Sequence, residues 1–331
     1  MALFFNRISK LCTQTRFFSS LPQSPYLLLG GKLLRESPEG KVGKHRFFDP
    51  TTQERVYSGE KTTPKELNGQ PLLGTSQESS LCLPSGSNPR RTPRRCLSLL
   101  PDPVQDDFIV AAKFSEYQLS VCRPRWDSKW THIDTPFSLL PPSDLMYSKR
   151  DKAFYFTSFK GLYMGSLDLS ENELEFQELT LRNQPKNPEA GWEMLDKCFM
   201  SKHLVESPSG ELFFIKWYTL CIRREEEDGE STIMHSVTKR FMVFREDEKR
   251  KDFCYTEDIG DLCIFLGRSE AFCVKASMYP GLKPNSIYYI GVSGLGFYDL
   301  ASGTVRSFDT PAGRPLLVPY PYWLRPTNPI A

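Results

Sequence analysis

Apolar and polar positions alternate along this chain in short runs, and the runs keep ending at Asp, Gly, Pro or Asn. The stretch "GLGFYDLASGTVRSF", residues 294–308, shows the unit. On an extended strand Leu295 and Phe297 fall on one side and Tyr298 and Leu300 on the other, so both faces are apolar. Such a strand is expected to be covered from both sides. The turn "ASG" places Gly303 where a hairpin needs φ > 0. The same plan recurs in "GLYMGSLDLSENELEFQEL", residues 161–179, where Asp168-Leu169 stands in for Asp299-Leu300 and Asn172 for Gly303. It recurs again in "RFFDPTTQERVYS", residues 46–58, with Asp49-Pro50 at the turn. Looser copies are "QLSVCRPRWDSKWTHI" (118–133) and "RFMVFREDEKRKDFCYTE" (240–257).

Other strand pairs precede these copies. "HLVESPSGELFFIKWY" (203–218) turns at Pro208-Ser209-Gly210, "LMYSKRDKAFYFTS" (145–158) at Ser148–Lys152, and "CIFLGRSEAFCVKAS" (263–277) around Arg268-Ser269-Glu270. Two hairpins make a four-stranded sheet, and such sheets repeated every ~40–50 residues point to a β-propeller. Blade-like units fall at roughly 26–58, 105–135, 144–180, 198–258 and 259–310, and the segment 66–104 is expected to hold a further, degraded one. The expectation is therefore an all-β propeller of six four-stranded blades, or seven, within a domain spanning 24–325. Tyr26–Gly30 is expected to help close the ring beside the last blade. "NPEAGWEMLDKCF" (187–199) predicts a short helix and "RREEEDGES" (223–231) a solvated loop.

Composition agrees with many short strands. Aromatics make up 13% of the 331 residues and suit pleated surfaces, while 26 Pro and 21 Gly supply turns. A net charge of +2 does not select nucleic acid as a partner. No run approaches the ~18 apolar residues that a membrane-spanning helix needs, so no span is expected. The nine cysteines, at 12, 82, 96, 122, 198, 221, 254, 263 and 273, form no C-x-x-C pair, which removes zinc-knuckle and thioredoxin-like readings. Cys254, Cys263 and Cys273 lie in apolar segments and are expected to act as small buried hydrophobes.

The N-terminus carries a different pattern. "MALFFNRISKLCTQTRFFSS" contains Arg7, Lys10 and Arg16, and the first carboxylate of the chain is Glu36. On a helical wheel Phe4, Phe5, Ile8, Leu11 and Cys12 share one arc, opposite the basic and hydroxyl side chains. That is the composition of an organellar transit peptide. Residues 1–18 are expected to direct import into the mitochondrial matrix through Arg7, Lys10 and Arg16, with cleavage between Phe18 and Ser19. Import into the chloroplast, or into both organelles, is the alternative.

Candidate chemistry is sparse. His45, His132, His203 and His235 have no H-x-x-x-H or H-E-x-x-H spacing, so no metal site is expected. "GVSGLG" (291–296) fits neither a dinucleotide-binding glycine loop nor a nucleophile elbow. Asp258 and Asp261 flank Gly260 and read as turn residues. Arg90, Arg91, Arg94 and Arg95 could grip phosphates, but no aromatic is interleaved to stack bases, so nucleic acid is not an expected partner. No catalytic residue, cofactor site or metal site is expected.

The stretches "FIVAAKF…QLSVCRPRWDSKWTHI", "SDLMYSKRDKAFYF", "YTEDIGDLCIFLGRSEAFCVKAS" and "PGLKPNSIYYIG…GFYDLASGTVRSF" together resemble the KIB-type β-propeller family of plants. The resemblance spans about 24–325 and is strongest over 105–310. It is closest to an organelle-targeted branch that carries a transit peptide where cytosolic relatives carry an F-box. Within it Pro280, Gly281, Pro284 and Asn285 fix a loop before a blade strand. Two departures stand out. Leu21-Pro22 leads at once into the strand-like "QSPYLLLGG", leaving no helical F-box, and "GTSQESSLCLPSGSNPRR" (74–91) is short and poor in strand residues. The resemblance implies a propeller with no known activity. The expected role is a monomeric, non-enzymatic scaffold for a protein partner. Three alternatives are a ubiquitin-ligase substrate adaptor lacking its F-box, an organellar RNA-binding protein, and an enzyme with a site in the central channel.

Overall fold

Strands form where the alternation predicts them, and they end at a repeated side-chain device. Asp49, Asp247 and Asp299 each close a strand by accepting the backbone N–H two residues on, from Thr51 (2.8 Å), Lys249 (3.1 Å) and Ala301 (3.0 Å). Four residues after each Asp the chain turns through positive φ, at Gln53 (61°), Lys251 (52°) and Gly303 (65°). The looser copy at 240–257 thus obeys the same turn rule as the opening stretch. Asn172 lies outside the described residues. The computed structural model describes residues 24–64, 72–76, 79–82, 97–102, 107–115, 118–123, 127, 130–139, 145–158, 161–168, 173–185, 192–225, 232–267, 270–291, 294–308 and 321–326.

Blade one begins with β1 (Tyr26–Ser37), β2 (Gly40–Asp49), β3 (Glu54–Tyr57) and β4 (Lys61–Pro64). A two-stranded ribbon follows, β5 (Leu72–Ser76) and β6 (Ser79–Cys82). Blade two is β7 (Leu97–Asp102), β8 (Asp107–Ser115), β9 (Gln118–Cys122) and β10 (Thr131–Asp134). Blade three is β11 (Leu145–Ser148), β12 (Ala153–Thr157), β13 (Tyr163–Asp168) and β14 (Glu173–Glu178). Blade four adds an outer strand, β15 (Leu181–Arg182), to β16 (Phe199–Glu206), β17 (Leu212–Glu225), β18 (Thr232–Asp247) and β19 (Asp252–Thr256). Blade five comprises β20 (Leu262–Leu266), β21 (Phe272–Lys275), β22 (Ser286–Ile290), β23 (Leu295–Asp299) and β24 (Thr304–Ser307). The last strand, β25 (Tyr322–Leu324), returns to blade one and pairs with β1, Leu27 opposite Trp323.

This corrects the expected count of six or seven blades to five. Among its described residues the segment 66–104 supplies β5 and β6, which pair with each other, and β7, which blade two takes as its inner strand. Its Ser-, Pro- and Arg-rich sequence offers too few alternating apolar positions for four strands. Blades four and five also carry a fifth strand, so they are not the simple four-stranded sheets expected. The segment read as a transit peptide, residues 1–18, lies outside the described residues and gains no support. At 187–199 the described element is a 3-10 helix, Trp192–Lys197.

The core lies between blades rather than inside one sheet. Leu27, Phe48, Phe265, Tyr288 and Trp323 fill the layer between blades five and one. Phe213, Ile215, Phe241, Ile264 and Tyr298 fill the layer between four and five. Strands β11, β20 and β22 are buried at every position, as expected for sheets sandwiched on both faces. Trp323 Nε1 donates to the Leu266 carbonyl (3.1 Å), which fastens the returning C-terminal strand to blade five. A closed ring leaves no long sheet edge at this seam.

Blade five departs from the meander of blades two and three. Its order is β21-β20-β22-β23-β24, with β20 and β22 parallel. Parallel neighbours cannot be joined by a tight turn. The connection runs through β21, the short 3-10 turn Ala276–Met278 and the loop containing "PGLKPN". Asn285 anchors that loop: its Oδ1 accepts the Ile259 N–H (2.9 Å) and its Nδ2 donates to the Glu257 carbonyl (3.0 Å). Lys283 pairs with Asp299 at the head of the β23–β24 turn.

Candidate functional site

The inner strands β7, β11, β16 and β21 contact one another in order, and β5 bridges β25 to β7. An inner strand has only one sheet neighbour, so N–H groups on its free edge point to the channel and need other acceptors. Two carboxylates meet that need at one mouth. Glu206, ending β16, accepts the Lys149 N–H (3.0 Å) and the Ser148 hydroxyl. Glu270, before β21, reaches from blade five to the Tyr147 N–H of blade three (3.1 Å). Burial first, then the charges of Glu206 and Asp168, hold the Tyr147 hydroxyl above its ordinary pKa.

Beside these carboxylates Arg150 locks the β11–β12 turn onto blade four. Its guanidinium donates to Asp151 (2.8 Å), Glu246 (2.7 Å), Glu248 (3.1 Å) and the Gly210 carbonyl (3.1 Å). Its pKa rises accordingly, chiefly through Asp151 and then Glu246. A cavity of about 640 Å³ opens here, bounded by β11, the β16–β17 turn, β21 and the residues after β25. Apolar lining comes from Met146, Val274 and Met278, and polar lining includes Lys275, Tyr279 and Arg325. Cys273 also borders it, but burial pushes its thiol up to about 12. A thiol protonated at neutral pH is a poor nucleophile.

A second feature lies on the outer side of blade three. Phe137 stacks on Tyr163 (centroids 5.8 Å apart, planes at 12°) and meets Phe176 edge-on (5.3 Å). Tyr163 is 44% exposed and Phe176 39%, while Phe156 beneath them is fully buried. Glu178 stands directly across from Tyr163 on β14 and is exposed.

The residues singled out in the sequence do not converge. Arg7, Lys10, Arg16, Phe18, Ser19 and the arginines 90, 91, 94 and 95 lie outside the described residues. His132 Nδ1 bonds the Ser120 hydroxyl (2.8 Å) in blade two. His203 Nε2 bonds Ser201 (3.1 Å) in blade four, and His45 packs on Phe47 in blade one. Burial first, then Lys61, lowers the His45 pKa. Asp258 accepts the Gly260 N–H (2.7 Å) and Asp261 the Ser277 N–H (3.0 Å), so both serve turns. Among the described residues Asp247, Asp252 and Cys254 come close enough to share a metal ion, yet Arg182 already pairs with Asp252. Sequence reasoning missed Glu206, Glu270, Lys275 and Arg325. Each sits at a turn or strand end; the stretch holding Glu270 and Lys275 was legible as a strand pair, but only ring closure brings the four to one cavity.

Five blades, a C-terminal strand that completes the first, and a cavity at the channel mouth define a β-propeller. The family model described as the KIB1-4 beta-propeller matches residues 11–309. The chain belongs to that family. The match ends before the ring-closing strand β25 and begins within the segment read as a transit peptide. No curated protein matches the sequence. Solved structures similar to this one include a protein from Lactobacillus plantarum (14% identity, 87% of this chain and 96% of that one, TM-score 0.35). Others are Hsv2 from Kluyveromyces lactis (7%, 70% and 97%, TM-score 0.28) and a fucose-specific lectin from Aleuria aurantia (8%, 86% and 93%, TM-score 0.28). Likenesses this distant carry no functional argument. No helix among the described residues is long and apolar enough to cross a membrane.

Proposed function

We propose that this protein is a non-enzymatic scaffold, imported into an organelle, that presents the outer side of blade three to a protein partner. The observation that carries this reading is the exposed aromatic group of Tyr163 and Phe176, rooted through Phe137 on the buried Phe156. Large aromatics held rigid at a surface supply contact area at little entropic cost and dominate protein interfaces. Glu178 beside them favours a partner with a basic rim around an apolar centre. The compartment rests on Arg7, Lys10 and Arg16, unopposed by any acid before Glu36.

Proximity labelling with the full chain in intact cells tests partner and compartment together. Wild type should label organellar proteins, and the double variant Tyr163→Ser, Phe176→Ser should label its strongest neighbours about tenfold less at unchanged melting temperature. An unchanged set of neighbours removes blade three as the docking surface. A purely cytosolic set removes the organellar assignment.

A further inference from the structure

We propose that Lys202 is a site of reversible carbamylation, its amine taking up carbon dioxide in the layer between blades three and four, with Lys216 as counter-ion of the carbamate. The pairing of β16 with β17 sets Lys202 directly opposite Lys216. Opposed residues of an antiparallel pair project from one face with Cβ atoms ~5 Å apart, and like charges so placed are destabilising. The face around them is apolar. Leu204, Phe214, Met242 and Phe244 of blade four and Met164 of blade three form one buried cluster there. The Lys202 methylenes fill the space that a side chain at Gly161 would take, and the residue is only 4% exposed. Lys216 is half-buried and lies over the Phe244 ring (5.3 Å to the centroid). Among the described residues no carboxylate pairs with Lys216.

A lysine amine becomes nucleophilic when it is desolvated or set beside another cation, because both disfavour its protonated form. Lys202 meets both conditions: burial first, then the Lys216 charge, brings its pKa down to about 8. The neutral nitrogen shares its lone pair with the carbon of CO2, one C–O π pair moves onto oxygen, and the nitrogen releases one proton to water. The product is an N-carboxylate with one negative charge. Two facing lysines thereby become an ion pair of carbamate and ammonium, and the apolar surroundings strengthen their attraction. Size selects the electrophile. Carbon dioxide is small, neutral and apolar, which suits entry to a layer where the amine is nearly closed to solvent, whereas bulky acyl donors are kept out. This site is separate from the exposed aromatic surface of blade three and does not depend on the scaffold role.

The test incubates the purified full chain at about pH 8 with isotopically labelled bicarbonate, which equilibrates with CO2. Triethyloxonium then fixes any carbamate as its ethyl ester, and peptide mass spectrometry locates the label. Lys202 should carry it, and the exposed Lys32 and Lys152 should carry at least about tenfold less. Lys216→Met, which removes the counter-ion, should lower the labelling of Lys202 roughly fivefold at unchanged melting temperature. Should that variant fail to fold, the labelling pattern of the wild-type chain decides alone. Absence of label from Lys202, or label there no greater than on Lys32 and Lys152, overturns the proposal. Full labelling of Lys202 in a folded Lys216→Met chain overturns the counter-ion role.

Discussion

Lys202 is the most unusual single residue of the fold. It is only 4% exposed, faces Lys216 directly across the β16–β17 pair, and packs its methylenes over Gly161 of blade three. Lys216 finds partial relief over the ring of Phe244 (5.3 Å). Burial first, then the charge of Lys216, pushes the Lys202 pKa from 10.5 down to about 8. Below about pH 8 both native and unfolded chains carry this proton, which burial and the Lys216 charge disfavour in the native chain. Between about 8 and 10.5 the unfolded chain binds the proton more tightly, so this group makes stability rise with pH. Lys202→Met should therefore flatten the alkaline rise in stability. Chemical denaturation at pH 7 and pH 10 checks this; a variant that keeps the parent's rise would assign it to other groups. Gly281 is the opposite case, a residue fixed by space. Its φ is +103°, and a Cβ there would run into the Thr51 carbonyl of blade one. Gly281→Ala should cost about 2 kcal/mol or more, read from the denaturation midpoint.

At the scale of elements, the turns were legible because they are local. Asp49 and Asp299 were marked by sequence alone, and each makes the bond to the residue two positions on that a side-chain turn requires. The family's "PGLKPN" stretch was legible as a loop but not as a crossover. Nothing in "CIFLGRSEAFCVKAS" says that its second strand is the inner one, or that β20 will lie parallel to β22. A hairpin's alternation fixes its faces and leaves open which neighbour each edge receives. The same holds for "PYWLRP", whose three paired residues form β25 only because blade one lacks an inner strand. Trp323 carries that junction: it is 1% exposed, packs edge-on to Phe265 (5.0 Å) and bonds the Leu266 carbonyl. Trp323→Ala should cost about 3–5 kcal/mol. Truncation before residue 321 should abolish the single cooperative melt, because β1 then loses its inner partner. A truncated chain that melts like the parent would place ring closure elsewhere.

For the whole molecule, the described residues hold 25 strands and short 3-10 turns, so circular dichroism should show far less helix than the ~30% of ordinary domains. A helix content above about a quarter would contradict the fold. The sequence by itself determined the all-β class, the recurrence of strand pairs and the Asp-led turns, while the number of blades it implied, six or seven, was one or two too many. These follow from side-chain alternation and backbone turn chemistry, which act over a few residues. Tertiary structure alone decided that the segment 66–104 yields a ribbon and an inner strand instead of a blade, and that blade one is completed by residues from the far end of the chain. It also decided that Glu206, Glu270, Lys275 and Arg325 share one cavity. Those outcomes depend on which sheet edges remain open when the ring closes. That is a competition among surfaces distant in sequence, and no local pattern encodes its result.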